Sequence, residues 1–259
     1  MSRGYVIYAI DEPYTSMANT LKKSIEYHTD IESYDNITIL SNKFPDGDAT
    51  YGKKHKIHNF WQIYWATPYD ETIVVDADML FLHDYSYWWD YLSKFDLLFP
   101  DTIINYKQET VQHKQYDKVF IENDIRPAYE KMFYFKKSLL AQEFFTILEQ
   151  VIKNFNKFSN IKGWKNLLNH DWISYPPSHM ATSYIFPICI KMLGIEDVIY
   201  DKNDIFKYID MKLTCLNTKI DSPTWDKNLD YWGDYKEFYI ENFKQYYPLH
   251  YRNAKIYTS

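Results

Sequence analysis

Residues Thr72 to Leu82 read Thr-Ile-Val-Val-Asp-Ala-Asp-Met-Leu-Phe-Leu, an apolar run interrupted at its centre by Asp76 and Asp78. A β-branched run of this kind is a buried strand of a parallel sheet, and such a strand has no reason to carry two unpaired carboxylates. Each costs several kcal/mol to desolvate unless a cation or hydrogen bonds offset the loss. The C-terminal edge of a central strand is also where an α/β sheet places its ligands. A hard divalent cation held by oxygen atoms, itself clamping a diphosphate, is the simplest partner for the pair. The bland alternative is that the carboxylates cap the turn that follows.

Spacing alone does not carry this reading, because about two Asp-x-Asp matches arise by chance in a chain this rich in Asp. The other match, Asp46-Gly47-Asp48, follows Pro45 and reads as a turn. Context separates them. Only Asp76 and Asp78 are fed by a strand and followed by more apolar residues.

The pattern around this strand predicts an α/β fold. Tyr5 to Ile10 reads as a first strand, and Tyr14, Met17, Ala18, Leu21 and Ile25 recur behind it at helical spacing. Asn36 to Leu40 supplies a second strand. After a polar turn from Asn42 to Gly52 come Lys53, Lys54 and Lys56, then Ile57, Phe60, Trp61, Tyr64 and Trp65 on one helical face, stopped at Pro68. The order βαβαβ into Asp76 implies a doubly wound, mostly parallel central sheet flanked by helices. Further on, Leu97 to Phe99 and Met132 to Phe135 read as strands, and Asn105 to Asp124 as a surface excursion. Ser138 caps a helix with Phe144, Ile147, Leu148, Val151 and Phe155 on its apolar face. A last helix carries Ala181, Tyr184, Ile185, Ile188, Cys189 and Met192, ends at Gly194, and should kink or break at Pro187. Beyond Tyr200 the pattern weakens into an irregular, aromatic-rich region expected to wrap back onto the sheet.

Composition excludes several classes. A length of 259 residues suits one domain with an appended C-terminal region. A net charge of −6 argues against nonspecific nucleic-acid binding, which requires many phosphate-neutralising Lys and Arg. Two cysteines, Cys189 and Cys215, provide neither a disulfide framework nor a zinc spacing, and point to a reducing, cytoplasmic compartment. The apolar run Gly4 to Ile10 is too short for a membrane span and lacks a cleavage-like site. Aromatic residues at 19 % exceed the ordinary, and most are read as core and surface residues from an AT-rich genome.

The order of parts resembles the GT-A nucleotide-sugar glycosyltransferases, most closely the glycogenin-like group, glycosyltransferase family 8. Four positions carry the resemblance. Ala9-Ile10-Asp11-Glu12-Pro13-Tyr14 matches the segment that holds the nucleotide, which implies that Ala9, Asp11 and Tyr14 contact base and ribose; a helix cap for Asp11 and core packing for Tyr14 are the alternatives. Lys56-Ile57-His58 is similar to the family's Lys-Leu-His, whose lysine touches the diphosphate. Asp76-Ala77-Asp78 corresponds to the metal motif, implying Mn²⁺ or Mg²⁺ on both carboxylates. Pro248-Leu249-His250-Tyr251 with Lys255 resembles the C-terminal His and Lys that complete the metal shell and grip the phosphate. Two departures stand out. Glu130-Lys131 occupies the place of the family's Asn-x-Gly, and the late helix lacks the usual preceding acidic residue, with Asp171 the nearest.

The resemblance implies one GT-A domain over residues 1–259, with 1–125 as the nucleotide-sugar half and 126–259 as the acceptor half and closing segment. It implies transfer of a sugar, from a UDP-sugar by default and with retention, to a hydroxyl of a glycan, protein, lipid head group or modified DNA base. The last would suit a viral source and a host-cytoplasmic site. If configuration inverts, Asp171 or Glu130 is the candidate base. Two rivals remain: a haloacid dehalogenase-type phosphohydrolase, whose Asp-x-Asp follows the first strand, and a nucleotide-sugar or glycan binder without turnover.

Overall fold

The computed structural model describes residues 1–29, 36–41, 60–111, 117–155, 162, 164–165, 182–211 and 229–251. In chain order the strands are β1 (Arg3–Tyr8), β2 (Asn36–Leu40), β3 (Glu71–Asp76), β4 (Met79–Leu80), β5 (Leu97–Leu98), β6 (Ile103–Ile104), β7 (Thr110–Val111), β8 (Met132–Lys136), β9 (Ile209–Asp210), β10 (Tyr231–Gly233), β11 (Phe238–Ile240), β12 (Phe243–Lys244) and β13 (Leu249–His250). The helices are α1 (Tyr14–His28), α2 (Ile63–Ala66), α3 (Trp88–Leu92), α4 (Asp117–Asn123), α5 (Leu139–Asn154), α6 (Thr182–Leu193) and α7 (Glu196–Ile199).

The main sheet runs β2-β1-β3-β8-β5. Strands β2, β1 and β3 are parallel, as the βαβαβ order requires, and β8 lies antiparallel to both β3 and β5. Alternation along each strand splits the core into two layers. Val6, Val74, Phe133 and Phe135 face α5 and α6, while Tyr5, Ile7, Ile73, Val75 and Tyr134 face α1 and α3. Helices on both faces make this a doubly wound α/β sheet. The aromatic surplus fills part of the first layer, where Phe133 packs on Phe99 at 5.2 Å and on Phe186 at 5.7 Å between ring centres.

Helix α5 begins where Ser138 Oγ accepts a hydrogen bond from Ala141 N at 3.3 Å, as expected of that cap. Helix α2 stops at Ala66 because Thr67, ahead of Pro68, is extended. Helix α6 runs through Pro187 without a break and ends at Gly194, whose φ of +62° is the left-handed conformation of a glycine stop. The anticipated break is absent because this segment is buried along almost its whole length, so packing holds the helix where Pro187 removes one backbone bond.

A second sheet, β4-β13-β9-β6-β7, could not be read from periodicity because each strand has two residues. It corrects the expectation of a surface excursion after Asn105. Asn105, Tyr106, Val111, Val119 and Phe120 are buried, and β6 is held in the sheet by pairing with β9 from far along the chain. The C-terminal region folds back as expected: β13 pairs antiparallel with β4 and parallel with β9. Strands β10 to β12 form a small antiparallel meander beside it. Among the described residues no helix is long and apolar enough to cross a membrane.

Candidate metal centre

The two sheets meet at the aspartate pair. Asp76 is the last residue of β3 in the main sheet, and Asp78 immediately precedes β4 in the second. Strand β4 places Met79 opposite His250, and Tyr251 N donates to Asp78 O at 3.1 Å, so strand pairing brings the end of the chain to its middle. Buried Ser24 of α1 fixes the segment from behind: its hydroxyl donates to Leu21 O at 2.7 Å and accepts from Phe81 N at 3.0 Å.

His250 Nε2 lies 3.1 Å from Asp78 Oδ1 and 3.9 Å from Asp76 Oδ2. One ligand atom from each of the three residues falls within 4.8 Å of the others. The His250 side chain is 1 % exposed and that of Asp78 9 %, whereas Asp76 at 37 % opens to solvent, so the cluster has a buried floor and an open mouth. Both ring nitrogens of His250 are buried, and each lies within ion-pair distance of a carboxylate. A buried imidazole nitrogen within reach of two carboxylates fits a ligand to a divalent cation; oxygen and imidazole donors together suit a hard or borderline ion.

Asp210, which sequence reasoning missed, completes the arrangement. Its Oδ1 lies 3.2 Å from His250 Nδ1, placed there by the β9–β13 register that pairs Asp210 with His250. A carboxylate on Nδ1 fixes the tautomer that leaves Nε2 free for a metal. The only local signal is an Asp inside Tyr208-Ile209-Asp210-Met211, all of them buried. Burial by itself would lower the pKa of His250, but Asp210 first and then Asp78 outweigh it and raise the value to about 9.

The first strand delivers its motif to the same edge. Tyr8 pairs with Asp76 across β1 and β3, so the segment from Ala9 to Tyr14 leaves β1 at the sheet edge that carries Asp76. Ala9 is buried and donates its N–H to Leu40 O at 3.1 Å. Tyr14 is 49 % exposed, which removes the core-packing alternative. Asp11 is exposed with φ at +61°, and Glu12 accepts from Ser16 N at 3.4 Å and Ser16 Oγ at 2.7 Å in the first turn of α1. Ala77 is buried between the two carboxylates. Lys56, Asp171 and Lys255 lie outside the described residues, as do Cys215 and the Asp46-Gly47-Asp48 turn.

Glu130 and Lys131 also reach the site. Lys131 Nζ sits 3.1 Å from Glu130 Oε1 and 3.5 Å from Asp76 Oδ2, and its carbonyl accepts from Asp76 N at 2.9 Å. Glu130 Oε1 is buried and also accepts from Thr182 Oγ1 at 2.8 Å and Ser183 Oγ at 2.9 Å, at the start of α6. Burial opposes ionisation of Glu130, yet the Lys131 charge first, and then hydrogen bonds from its own backbone N–H, Thr182 and Lys131, lower its pKa below the ordinary value. Burial likewise opposes the Lys131 ammonium, and Glu130 and then Asp76 hold it charged.

No family model and no curated protein matches the sequence. Solved structures that resemble this chain include the apo form of the WbbM bifunctional glycosyltransferase, at 12 % identity over 77 % of this chain and 38 % of that one, with a TM-score of 0.46. Mouse xyloside xylosyltransferase 1 matches at 9 % identity over 78 % of this chain and 84 % of its own, with a TM-score of 0.43. The glycosyltransferase GlyE of Streptococcus pneumoniae TIGR4 matches at 9 % identity over 78 % and 46 %, with a TM-score of 0.41. The chain thus spans less than half the length of two of these three. All three are glycosyltransferases. At TM-scores below 0.5 the overlaps do not fix a family, and function has to be argued from the site.

Proposed function

We propose that this chain is a GT-A-type glycosyltransferase that moves a sugar from a nucleotide diphosphate sugar to a hydroxyl, with Asp76, Asp78 and His250 holding Mn²⁺ or Mg²⁺. The observation that carries the reading is the convergence of a carboxylate pair from the middle of the chain with an imidazole from near its end, three residues selected from sequence. The ion supplies charge neutralisation to the departing diphosphate. The chain's own residues do the rest. The exposed ring of Tyr14 offers a face for the nucleotide base, and Asp11, three residues earlier in the chain, suits the ribose hydroxyls. Lys56 and Lys255 are assigned to the diphosphate, where fixed positive charge stabilises the leaving group as the bond to the sugar breaks.

Retention of configuration is the better-supported course. An inverting reaction needs a free carboxylate base, and Glu130 Oε1 is already engaged by Lys131, Thr182 and Ser183. Its lowered pKa makes it a weaker base still. Asp171 is the other candidate for that role. UDP is the nucleotide implied by resemblance, and a glycan-type hydroxyl the acceptor class.

The phosphohydrolase reading is disfavoured by position, since Asp76 ends the third strand of the chain and not the first. The test is release of nucleotide from a panel of UDP-sugars with Mn²⁺, with and without added saccharide acceptors. Wild-type protein should release UDP from at least one donor, chelation should stop it, and Asp78→Ala should lose at least about a hundredfold in rate. Turnover by Asp78→Ala at the wild-type rate would defeat the assignment. Tight donor binding without turnover across all acceptors would leave a binding protein in its place.

A further inference from the structure

Four carboxylates crowd this centre: Asp76, Asp78, Asp210 and Glu130. A divalent cation with a neutral His250 leaves two of their charges uncompensated, and a site so charged repels the diphosphate it is meant to take. Lys131 answers that excess. Its ammonium stands 3.5 Å from Asp76, the most exposed of the three candidate ligands, and its own side chain is 27 % exposed beside it. Two ties keep it there, the Glu130 carboxylate on the side chain and the Asp76 N–H on its carbonyl. Glu130 in turn is anchored to the first residues of α6 through Thr182 and Ser183. A lysine carried on a flexible four-carbon stem is here fixed at the mouth of the cluster.

We propose that Lys131 is a donor-positioning residue, a built-in cation next to Asp76 that receives the diphosphate of the donor beside the metal. The inference rests on the glycosyltransferase reading above and assigns a role to a position where this chain departs from the family it resembles. Lys131 should act with opposite sign on two ligands. Its charge repels a bare divalent cation approaching Asp76, and it attracts a diphosphate once that cation is in place. A lysine that merely supports Glu130 and α6 would act with the same sign on both.

The experiment measures, by calorimetry, Mn²⁺ binding alone and then binding of UDP and of inorganic pyrophosphate to the Mn²⁺-loaded protein. For Lys131→Met, Mn²⁺ alone should bind about two- to tenfold tighter, while UDP and pyrophosphate should bind at least about tenfold weaker. Lys131→Arg should keep both affinities within about threefold of wild type. If Lys131→Met loses melting temperature through its unpaired Glu130, the double variant Glu130→Gln/Lys131→Met removes that carboxylate. There Mn²⁺ affinity should return to the wild-type value with diphosphate binding still weak. Parallel loss of both affinities, or diphosphate binding at wild-type strength in either Met variant, overturns the role of Lys131. Failure of wild-type protein to bind UDP or pyrophosphate with Mn²⁺ overturns the glycosyltransferase reading together with it.

Discussion

His250 is where the residue-scale account is most exposed to test. In the metal-free protein its proton is held up to about pH 9, above the ordinary 6.5 of a histidine, whereas a metal ligand must be neutral. Binding of a cation therefore displaces a proton, and apparent affinity should climb with pH from 6.5 until it levels near 9. Calorimetry of Mn²⁺ binding at pH 7.5 in buffers of different ionisation enthalpy should show release of about one proton per ion. Uptake, or no proton exchange at all, would contradict the assignment. Asp210 is the second test. Asp210→Asn keeps the size of the side chain and removes the charge on Nδ1, so Mn²⁺ affinity should fall about 10- to 100-fold with the fold retained by circular dichroism. Asp76 and Asp78 stand out in the sequence because two carboxylates interrupt an apolar strand, while His250 is singled out only through the resemblance of Pro248-Leu249-His250-Tyr251 to the glycogenin-like family. Asp210 could not be read from sequence, since its role exists only once β9 and β13 pair.

Elements decide whether those residues meet. Strand β13 is two residues long, yet it joins β4 to β9 and carries His250, and Leu249 beside it is fully buried. Leu249→Ala should cost about 2–5 kcal/mol and also weaken the metal site, because the strand that presents His250 loses its anchor. Differential scanning calorimetry separates the two effects. Mn²⁺ at a hundredfold excess over Kd should raise the wild-type Tm by about 5–10 °C, and Leu249→Ala should show a smaller rise. Ser138→Ala, which removes the α5 cap far from the cluster in the fold, should cost about 1 kcal/mol and leave the metal-induced rise unchanged. Equal rises in all three proteins would mean that β13 does not control the site. The contrast also marks what sequence can convey. Strands β1, β3 and β8 announce themselves as unbroken apolar runs, and helices α1, α5 and α6 through apolar residues at helical spacing. Strands β4, β6, β9 and β13 have no period at two residues each, and are made by partners far away in the chain.

At the scale of the molecule, a doubly wound sheet and a second small sheet are joined through the turn that holds the aspartate pair. That junction explains why an apolar strand tolerates two carboxylates: one ends the first sheet, the other precedes the first strand of the second, and both look toward an imidazole from the C-terminal region. The irregular tail foreseen from Tyr200 onward therefore supplies His250 to the candidate site, and Asp210 beside it. Its structure escaped the sequence because it consists of short strands and a meander whose order comes from packing on the rest. The most direct measurement is an anomalous difference map from crystals grown with Mn²⁺ and UDP, recorded at a wavelength where manganese scatters strongly. A single peak within about 2.0–2.6 Å of carboxylate oxygens of Asp76 and Asp78 and of Nε2 of His250 is the predicted result. A peak held elsewhere, or one from which His250 stands apart, would contradict the account.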